Sequence, residues 1–440
     1  MKSKQSKAKD SAISLLSSKS VVHEDTVHPK VEDDVQMYVI ISTYLNYLLL
    51  IGFGHLRDLF GKMFKREQYA HLKNSQGYAP LVSDFSNFYI RRLYKRIRDC
   101  FNRPIASAAG RFFVLKDRKT EDHCKSFQFT GYGQTCLNLS SYNYLGFAEC
   151  EGDCAEFVQK NMVKGLGTGS SRLDLNTKSH VELEKLVAEY VGSEDAMVIS
   201  MGFATNSTVI PALVGKGCLI ISDEFNHSSL ITGARLSGAT ITVFEHNNAD
   251  SLASVLKEYI SQGQPRTHRP WRKILVVVEG LYSMEGSIVN LRDIVALKRK
   301  YNFYLYLDEA HSIGALGNSG RGVCEHLGVN PKDVDVLMGT FTKSFGAAGG
   351  YIAGNKQLIR FLRKNSHGMA YCESMPLPVV HQVTAAFSSI LSKEGLYRIN
   401  QLHENSRYFY HHLKNMGFAV LGDPASPVVP LLLFNTAKLP

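Results

Sequence analysis

Two short stretches hold side chains suited to acid–base and covalent chemistry. Asp308-Glu309-Ala310-His311 closes one apolar run, and Gly339-Thr340-Phe341-Thr342-Lys343-Ser344-Phe345-Gly346 closes another, with 35 residues from Asp308 to Lys343. A carboxylate buried at a strand end is costly unless a cation meets it. A lysine set among glycines and hydroxyls loses charge by desolvation, and its amine then becomes a nucleophile able to join an aldehyde. Taken singly, Asp308 reads as an ordinary helix cap and Lys343 as a surface lysine in a turn. Their spacing at the ends of neighbouring strands favours chemistry over both.

Three further turns carry complementary groups. Ser200-Met201-Gly202-Phe203-Ala204-Thr205-Asn206 leaves an apolar run and opens a helical one. Free backbone N–H groups and the helix dipole make an anion cradle there, to which Thr340 could donate. His227 follows Asp223-Glu224-Phe225-Asn226. A lone histidine is more often simply packed or exposed, yet this one could lie flat on an aromatic ring. Ser283, within Glu279 to Gly286 (EGLYSMEG), could bond a phenolic oxygen with His311 beside it. The five turns thus offer partners for a ring nitrogen (Asp308), a ring face (His227) and a phenolic oxygen (Ser283, His311). They also offer partners for an aldehyde (Lys343) and a phosphate (Gly202, Phe203, Thr340). Pyridoxal 5′-phosphate (PLP) has all these parts, and its protonated ring is an electron sink.

Such groups converge only if strands deliver them to one edge. Apolar runs of strand length occur at 196–200, 218–222, 240–245, 273–279, 303–308, 335–339 and 350–353. Most are unbroken Val, Ile and Leu, as in strands covered on both faces, and intervals such as Leu291 to Tyr301 have helical periodicity. This predicts a doubly wound α/β domain with a mostly parallel sheet of about seven strands, binding ligands beyond the strands' carboxyl ends. Residues 380–415 read as long helices. The expected organisation is a disordered tail over 1–34, a membrane-associated helix over 35–56 and a basic segment over 57–150. A PLP-binding large domain over 151–380 and a partial C-terminal domain over 381–440 follow.

Length and composition agree with a large folded body: 440 residues, 44% hydrophobic, 20% charged and a net charge of +10. No basic nucleic-acid module is evident. The eight cysteines include no C-x-x-C pair, which argues for free thiols and against a zinc site or any other metal site. Val35 to Gly54 is uncharged, and as a helix it spans about 30 Å, the thickness of a bilayer core. Acids precede it and Arg57, Lys62, Lys65 and Arg66 follow, which places the body of the chain on the cytosolic side. Ser42, Thr43 and Asn46 leave an interfacial helix open as an alternative to a full crossing.

These strings resemble the α-oxoamine synthases, PLP enzymes of the aspartate-aminotransferase fold that join an amino acid to an acyl-CoA with loss of CO2. The wording is nearer to the serine palmitoyltransferases, in their lysine-bearing subunit. The matching strings are GFATNS at 202–207, IPALVGKG at 210–217, ARLSGA at 234–239 and GQPR at 263–266, together with His227. EGLYSMEGSI at 279–288, LDEAHSIG at 307–314, GTFTKSFGAAGGYIAG at 339–354 and Phe85 to Pro104 complete the set. The resemblance implies that Lys343 holds PLP covalently, Asp308 pairs with its ring nitrogen and His227 stacks on it. Ser283 and His311 would meet the phenolic oxygen, and Gly202, Phe203 and Thr340 the phosphate. Tyr142 and Asn143 would border the amino-acid pocket. The implied reaction condenses L-serine with a long-chain acyl-CoA to 3-ketosphinganine, the first step of sphingolipid biosynthesis, in a heterodimer with a homologous lysine-lacking subunit at the endoplasmic reticulum membrane. The alternatives are another α-oxoamine synthase, such as 5-aminolevulinate synthase or glycine C-acetyltransferase, and a truncated non-catalytic or regulatory subunit.

Three departures from the family pattern stand out. The family continues past residue 440 and places a carboxylate-binding arginine there, so truncation is expected. Asn176 replaces a family glycine in a shorter loop. Glu373 stands where relatives carry a hydroxyl that reaches a neighbouring subunit's cofactor phosphate; an acid there would repel phosphate, which suits a partner without PLP.

Overall fold

Uncharged runs of Val, Ile and Leu fold as strands covered on both faces, and the computed structural model places all seven in one sheet. The structure describes residues 36–434, apart from 73–76, 81–83, 95–97, 99–100, 107–109, 123, 125 and 174–175. The expected tail over 1–34 lies outside these residues. An antiparallel hairpin, β1 (Phe112–Lys119) with β2 (Gln128–Leu137), precedes the sheet. The sheet strands are β3 (Asp195–Ile199), β4 (Leu219–Asp223), β5 (Thr240–Phe244), β6 (Ile274–Glu279), β7 (Tyr304–Asp308), β8 (Val336–Thr340) and β9 (Gly350–Gly354). Their order is β3-β9-β8-β7-β6-β4-β5. Only β9 runs against the rest, paired antiparallel to both β3 and β8. The mostly parallel sheet read from the sequence is therefore present, and each strand lies within two residues of its expected limits.

Helices cover both faces. In chain order they include α1 (Met37–Phe64), α2 (Asp153–Asn161), α3 (Lys178–Val191), α4 (Gly202–Leu213), α5 (Ser228–Ser237) and α6 (Ala249–Gln262). Then come α7 (Leu291–Tyr301), α8 (Lys356–Asn365), α9 (Leu377–Ile390) and α10 (Lys393–Asn415). Alternation along β6 shows the two layers. Val276 and Val278 face a core with Leu183 of α3, Leu252 of α6, Ile294 of α7 and Val383 of α9. Leu275 and Val277 face another with Ile210 of α4, Leu230 of α5 and Leu362 of α8. Each fully buried Val or Leu stabilises the fold by about 1.5–3 kcal/mol, so two such layers hold the strand ends rigidly.

The apolar N-terminal helix runs longer than the expected 35–56. It reaches Phe64, because from Gly54 onward one face is packed rather than free. Phe88 lies so close to Gly54 that an added Cβ would meet its ring at 2.9 Å. Two turns on, Tyr69 crosses Gly61 in the same way and leaves no room for a side chain. Between them, buried Asp58 pairs with Arg91 at 2.6 Å and Arg92 at 2.5 Å. Most of the remaining surface of α1 is exposed and rich in large apolar side chains, and the helix is long and apolar enough to cross a membrane.

Candidate active site

The carboxyl ends of β3, β4, β6, β7 and β8 share one edge of the sheet, since all five strands run the same way. Asp308, Lys343, His227 and His311 therefore come together there, as do Gly202, Phe203 and Thr340. β7 ends on Asp308, β6 on Glu279, β8 on Thr340, and Gly202 opens α4 just beyond β3.

Asp308 is fully buried. Its Oδ2 accepts from Asn206 Nδ2 at 2.7 Å and its Oδ1 from the Ala310 N–H at 2.8 Å. The second bond closes a turn and caps no helix, since no helix starts at residue 309, so the helix-cap reading of the lone residue does not hold. No arginine or lysine forms an ion pair with Asp308 among the described residues. Burial raises its pKa, opposed by the Asn206 hydrogen bond and the positive charge of Lys343. A cation at this carboxylate would complete the site, and a protonated pyridine nitrogen is such a group.

Lys343 lies in the turn after β8, half-buried. Burial lowers its pKa, while Asp308 and Glu279 act in the opposite sense. An amine that loses its proton more readily is better prepared for attack on an aldehyde. His311 is buried, and burial, with Lys343 and His227 as lesser causes, holds its pKa well below the ordinary imidazole range. Its Nδ1 bonds the Tyr144 hydroxyl at 2.8 Å, and the Tyr142 ring meets it edge-on at a centroid separation of 5.0 Å. Asn143, beside Tyr142, accepts from the Ala148 N–H at 3.2 Å. Ser283 lies half-buried in the turn after β6.

The expected anion cradle also has a definite shape. Met201 is the N-cap of α4 and its side chain makes no capping bond, so the first-turn N–H groups face the strand edge. A Cβ on Gly202 would stand 2.7 Å from Thr340 Oγ1. Helix start and strand end thus approach as closely as glycine allows, with the Thr340 and Thr342 hydroxyls 2.8 Å apart beside them. The exposed Phe203 ring meets His227 edge-on at 6.2 Å. These groups fit a phosphate, and with Asp308 and Lys343 they fit PLP.

Residue reading from the sequence missed the layer beneath. Tyr144, Asn206, Ser229, Tyr306 and Glu279 hold the named groups in place, and Glu279 accepts a hydrogen bond from the His227 N–H. Asn206 and Glu279 lie in the strings GFATNS and EGLYSMEGSI, but only packing shows what they touch. The loop departures are also placed. Asn176 Oδ1 accepts from Arg172 at 2.6 Å, and exposed Glu373 forms a bridge with Ser171.

Comparison with known proteins follows the same line. Residues 134–438 match the family described as aminotransferase class I and II. Serine palmitoyltransferase 2 of Schizosaccharomyces pombe is 51% identical over 414 residues, covering 93% of this chain and 69% of the relative. Long chain base biosynthesis protein 2a of Arabidopsis thaliana is 51% identical over 406 residues, covering 91% and 82%. Human serine palmitoyltransferase 3 is 49% identical over 416 residues, covering 92% and 75%. Among solved structures, Sphingomonas wittichii serine palmitoyltransferase matches with a TM-score of 0.71 at 29% identity, covering 82% of this chain and 85% of that one. A serine palmitoyltransferase solved with PLP matches with a TM-score of 0.66 at 28% identity, covering 80% and 83%.

Proposed function

Because the chain belongs to the serine palmitoyltransferase family of PLP-dependent acyltransferases, within the class I and II aminotransferases, we propose the following division of labour among its residues. The reaction is the decarboxylative condensation of L-serine with a long-chain acyl-CoA to 3-ketosphinganine, with release of CO2 and CoA.

When bound, PLP supplies an electron-poor ring that takes up the electron pair left at the serine Cα. Lys343 would hold the cofactor through its Nζ, and its amine, when free, would take the proton from the serine Cα. Its lowered pKa suits both tasks, since each needs the neutral amine. Asp308 would keep the ring nitrogen protonated from a buried position where, among the described residues, it forms no ion pair with lysine or arginine, although the charge of Lys343 reaches it. His227 lies against the ring face, and His311 and Ser283 address the phenolic oxygen. The first turn of α4 at Gly202 and Phe203, with Thr340, receives the phosphate. Tyr142 and Asn143 border the serine pocket, next to His311.

The single observation that carries this reading is the pair formed by Asp308, buried with no ion-paired lysine or arginine among the described residues, and Lys343, half-buried just beyond the end of the adjacent strand. We further infer that α1 anchors the chain in the endoplasmic reticulum membrane with the catalytic body in the cytosol, so that the acyl chain and product enter and leave through the bilayer. A homologous lysine-lacking subunit completes a heterodimer, with Glu373 facing a site that binds no phosphate. The test is to supply serine and palmitoyl-CoA to the purified chain, alone and with that partner, and to measure long-chain base. Product that disappears in Lys343→Ala supports the reading. A chain that binds its partner, yields no product and takes up no PLP is a binding subunit instead.

A further inference from the structure

Beneath the candidate cofactor site runs a chain of buried hydrogen bonds that joins its two sides. Tyr306 OH lies 2.7 Å from Asn206 Oδ1. Asn206 Nδ2 lies 2.7 Å from Asp308 Oδ2 and 2.9 Å from Ser229 Oγ. Ser229 Oγ lies 2.8 Å from His227 Nδ1. Tyr306, Asn206, Ser229 and Asp308 are all buried.

The direction of every bond follows from chemistry. An ionised carboxylate can only accept, so the Asn206 amide must turn its NH2 toward Asp308. Its carbonyl then faces Tyr306, whose hydroxyl donates. The second amide hydrogen goes to Ser229 Oγ, which leaves the serine O–H to donate onward. His227 Nδ1 also lies 3.2 Å from the Ser229 backbone N–H, which can only donate, so Nδ1 is the unprotonated nitrogen. Neutral His227 therefore carries its proton on Nε2. Each of these polar atoms thus has a defined role as donor or acceptor.

We propose that Asn206 is a positioning residue that holds Asp308 ionised and, through Ser229, fixes the ring of His227, so that the groups meeting the nitrogen and the face of one cofactor ring are set by a single amide. Tyr306 keeps that amide from turning over. The inference rests on the assignment of Asp308 and His227 to PLP made above. Asn206 itself touches neither cofactor nor substrate.

The ionisable groups that interact with Asp308 among the described residues include Glu279 on the adjacent strand, His227 at the start of α5, Lys343 after β8, the neighbouring Glu309, Tyr306 on the same strand and Tyr351 on β9. An Asn206→Asp substitution adds a second carboxylate against Asp308, and two such acids in contact cannot both ionise readily. The measurement is PLP affinity by fluorescence titration of the whole 440-residue chain at about pH 6 and about pH 8, with the melting temperature of the PLP-free form as a check on folding. Asn206→Asp is expected to weaken PLP binding about tenfold at the higher pH, with part of the loss recovered at the lower pH. Tyr306→Phe and Ser229→Ala, which each remove one hydroxyl, are expected to weaken it about threefold with little change in melting. Binding by Asn206→Asp within about twofold of wild type at both pH values would overturn the inference. Should that variant fail to fold, wild-type affinity in both hydroxyl variants overturns it equally. Asp308→Asn separates the two readings. If it leaves PLP affinity intact, the assignment of Asp308 falls and this inference with it; if it weakens binding while Asn206→Asp does not, only this inference falls.

Discussion

Glu279 and Asp308 are register partners at the ends of adjacent parallel strands, so two buried carboxyl groups stand side by side at the floor of the site. Burial first, and then Asp308, pushes the Glu279 pKa well above the carboxylate range. Burial raises the Asp308 pKa as well, but the Asn206 hydrogen bond, the Lys343 charge and the Ala310 N–H oppose it, so Asp308 is the charged member of the pair and Glu279 the neutral one.

Glu279→Gln should test this directly. The amide keeps an oxygen acceptor for the His227 N–H but cannot ionise. A pKa raised in the folded state gives stability that is complete below the ordinary glutamate value and is lost as pH rises through the folded value. Glu279→Gln should therefore melt higher than wild type at about pH 8 and no higher at about pH 5, with PLP binding retained. Equal melting curves at both pH values would show that the acid is ionised in the native protein.

Lys343→Ala should abolish the visible absorbance of the lysine-bound cofactor and lower turnover by at least about 10²–10⁴-fold, the range for loss of a general base. Peptide mapping after borohydride reduction of the wild type should place the label on Lys343. A label elsewhere would move the catalytic centre.

Gly202→Ala asks whether the cradle is as tight as its geometry indicates. The new Cβ would stand 2.7 Å from Thr340 Oγ1, so helix start and strand end must separate. A displacement near 1 Å at such a site costs on the order of 10²-fold in catalysis, and PLP affinity should fall with it. Wild-type affinity in this variant would place the phosphate elsewhere.

Glu309, next to Asp308 in sequence, faces the opposite layer. It accepts from the Ser312 hydroxyl and, at 2.9 Å, from the Val323 N–H. Burial raises its pKa from 4.5 to about 7. Neutral Glu309 thus stabilises the fold fully below about pH 4.5, and that contribution is lost as pH rises toward 7, on the order of 3 kcal/mol in all. Glu309→Gln should flatten the dependence of melting temperature on pH across that interval. An unchanged slope would mean that the carboxyl is charged in the native state.

Asp58 anchors the packed end of α1 through Arg91 and Arg92. Asp58→Ala leaves two arginines beside an empty position, and breaking a buried pair of this kind costs about 3–5 kcal/mol. Protease cleavage between Phe64 and Tyr94 should accelerate while cofactor binding by the sheet domain persists. Loss of both together would show that this clasp supports the catalytic domain as well.

Much of the molecule was legible beforehand, for definite reasons. The seven strands stood out because strands covered on both faces must be apolar throughout, and a run such as Ile274 to Val278 has no other use. Lys343, Asp308 and Gly202 stood out because each is costly or unusual at a strand end unless it serves a ligand. The end of α1 was not legible. Composition changes after Gly54, but the helix continues because Phe88 and Tyr69, from later in the chain, cover Gly54 and Gly61.

The class of chemistry is written in the order of residues alone, since an electron-sink cofactor demands a lysine, an acid and an anion cradle, and these residue types announce themselves by spacing. How those groups are held depends on the packed fold. Asn206, Tyr306 and Ser229 come from α4, β7 and α5, and nothing local marks them as partners. Hydrogen bonds between distant segments depend on where the sheet order β3-β9-β8-β7-β6-β4-β5 brings each strand end, which is a property of the assembled fold and not of any one stretch of chain.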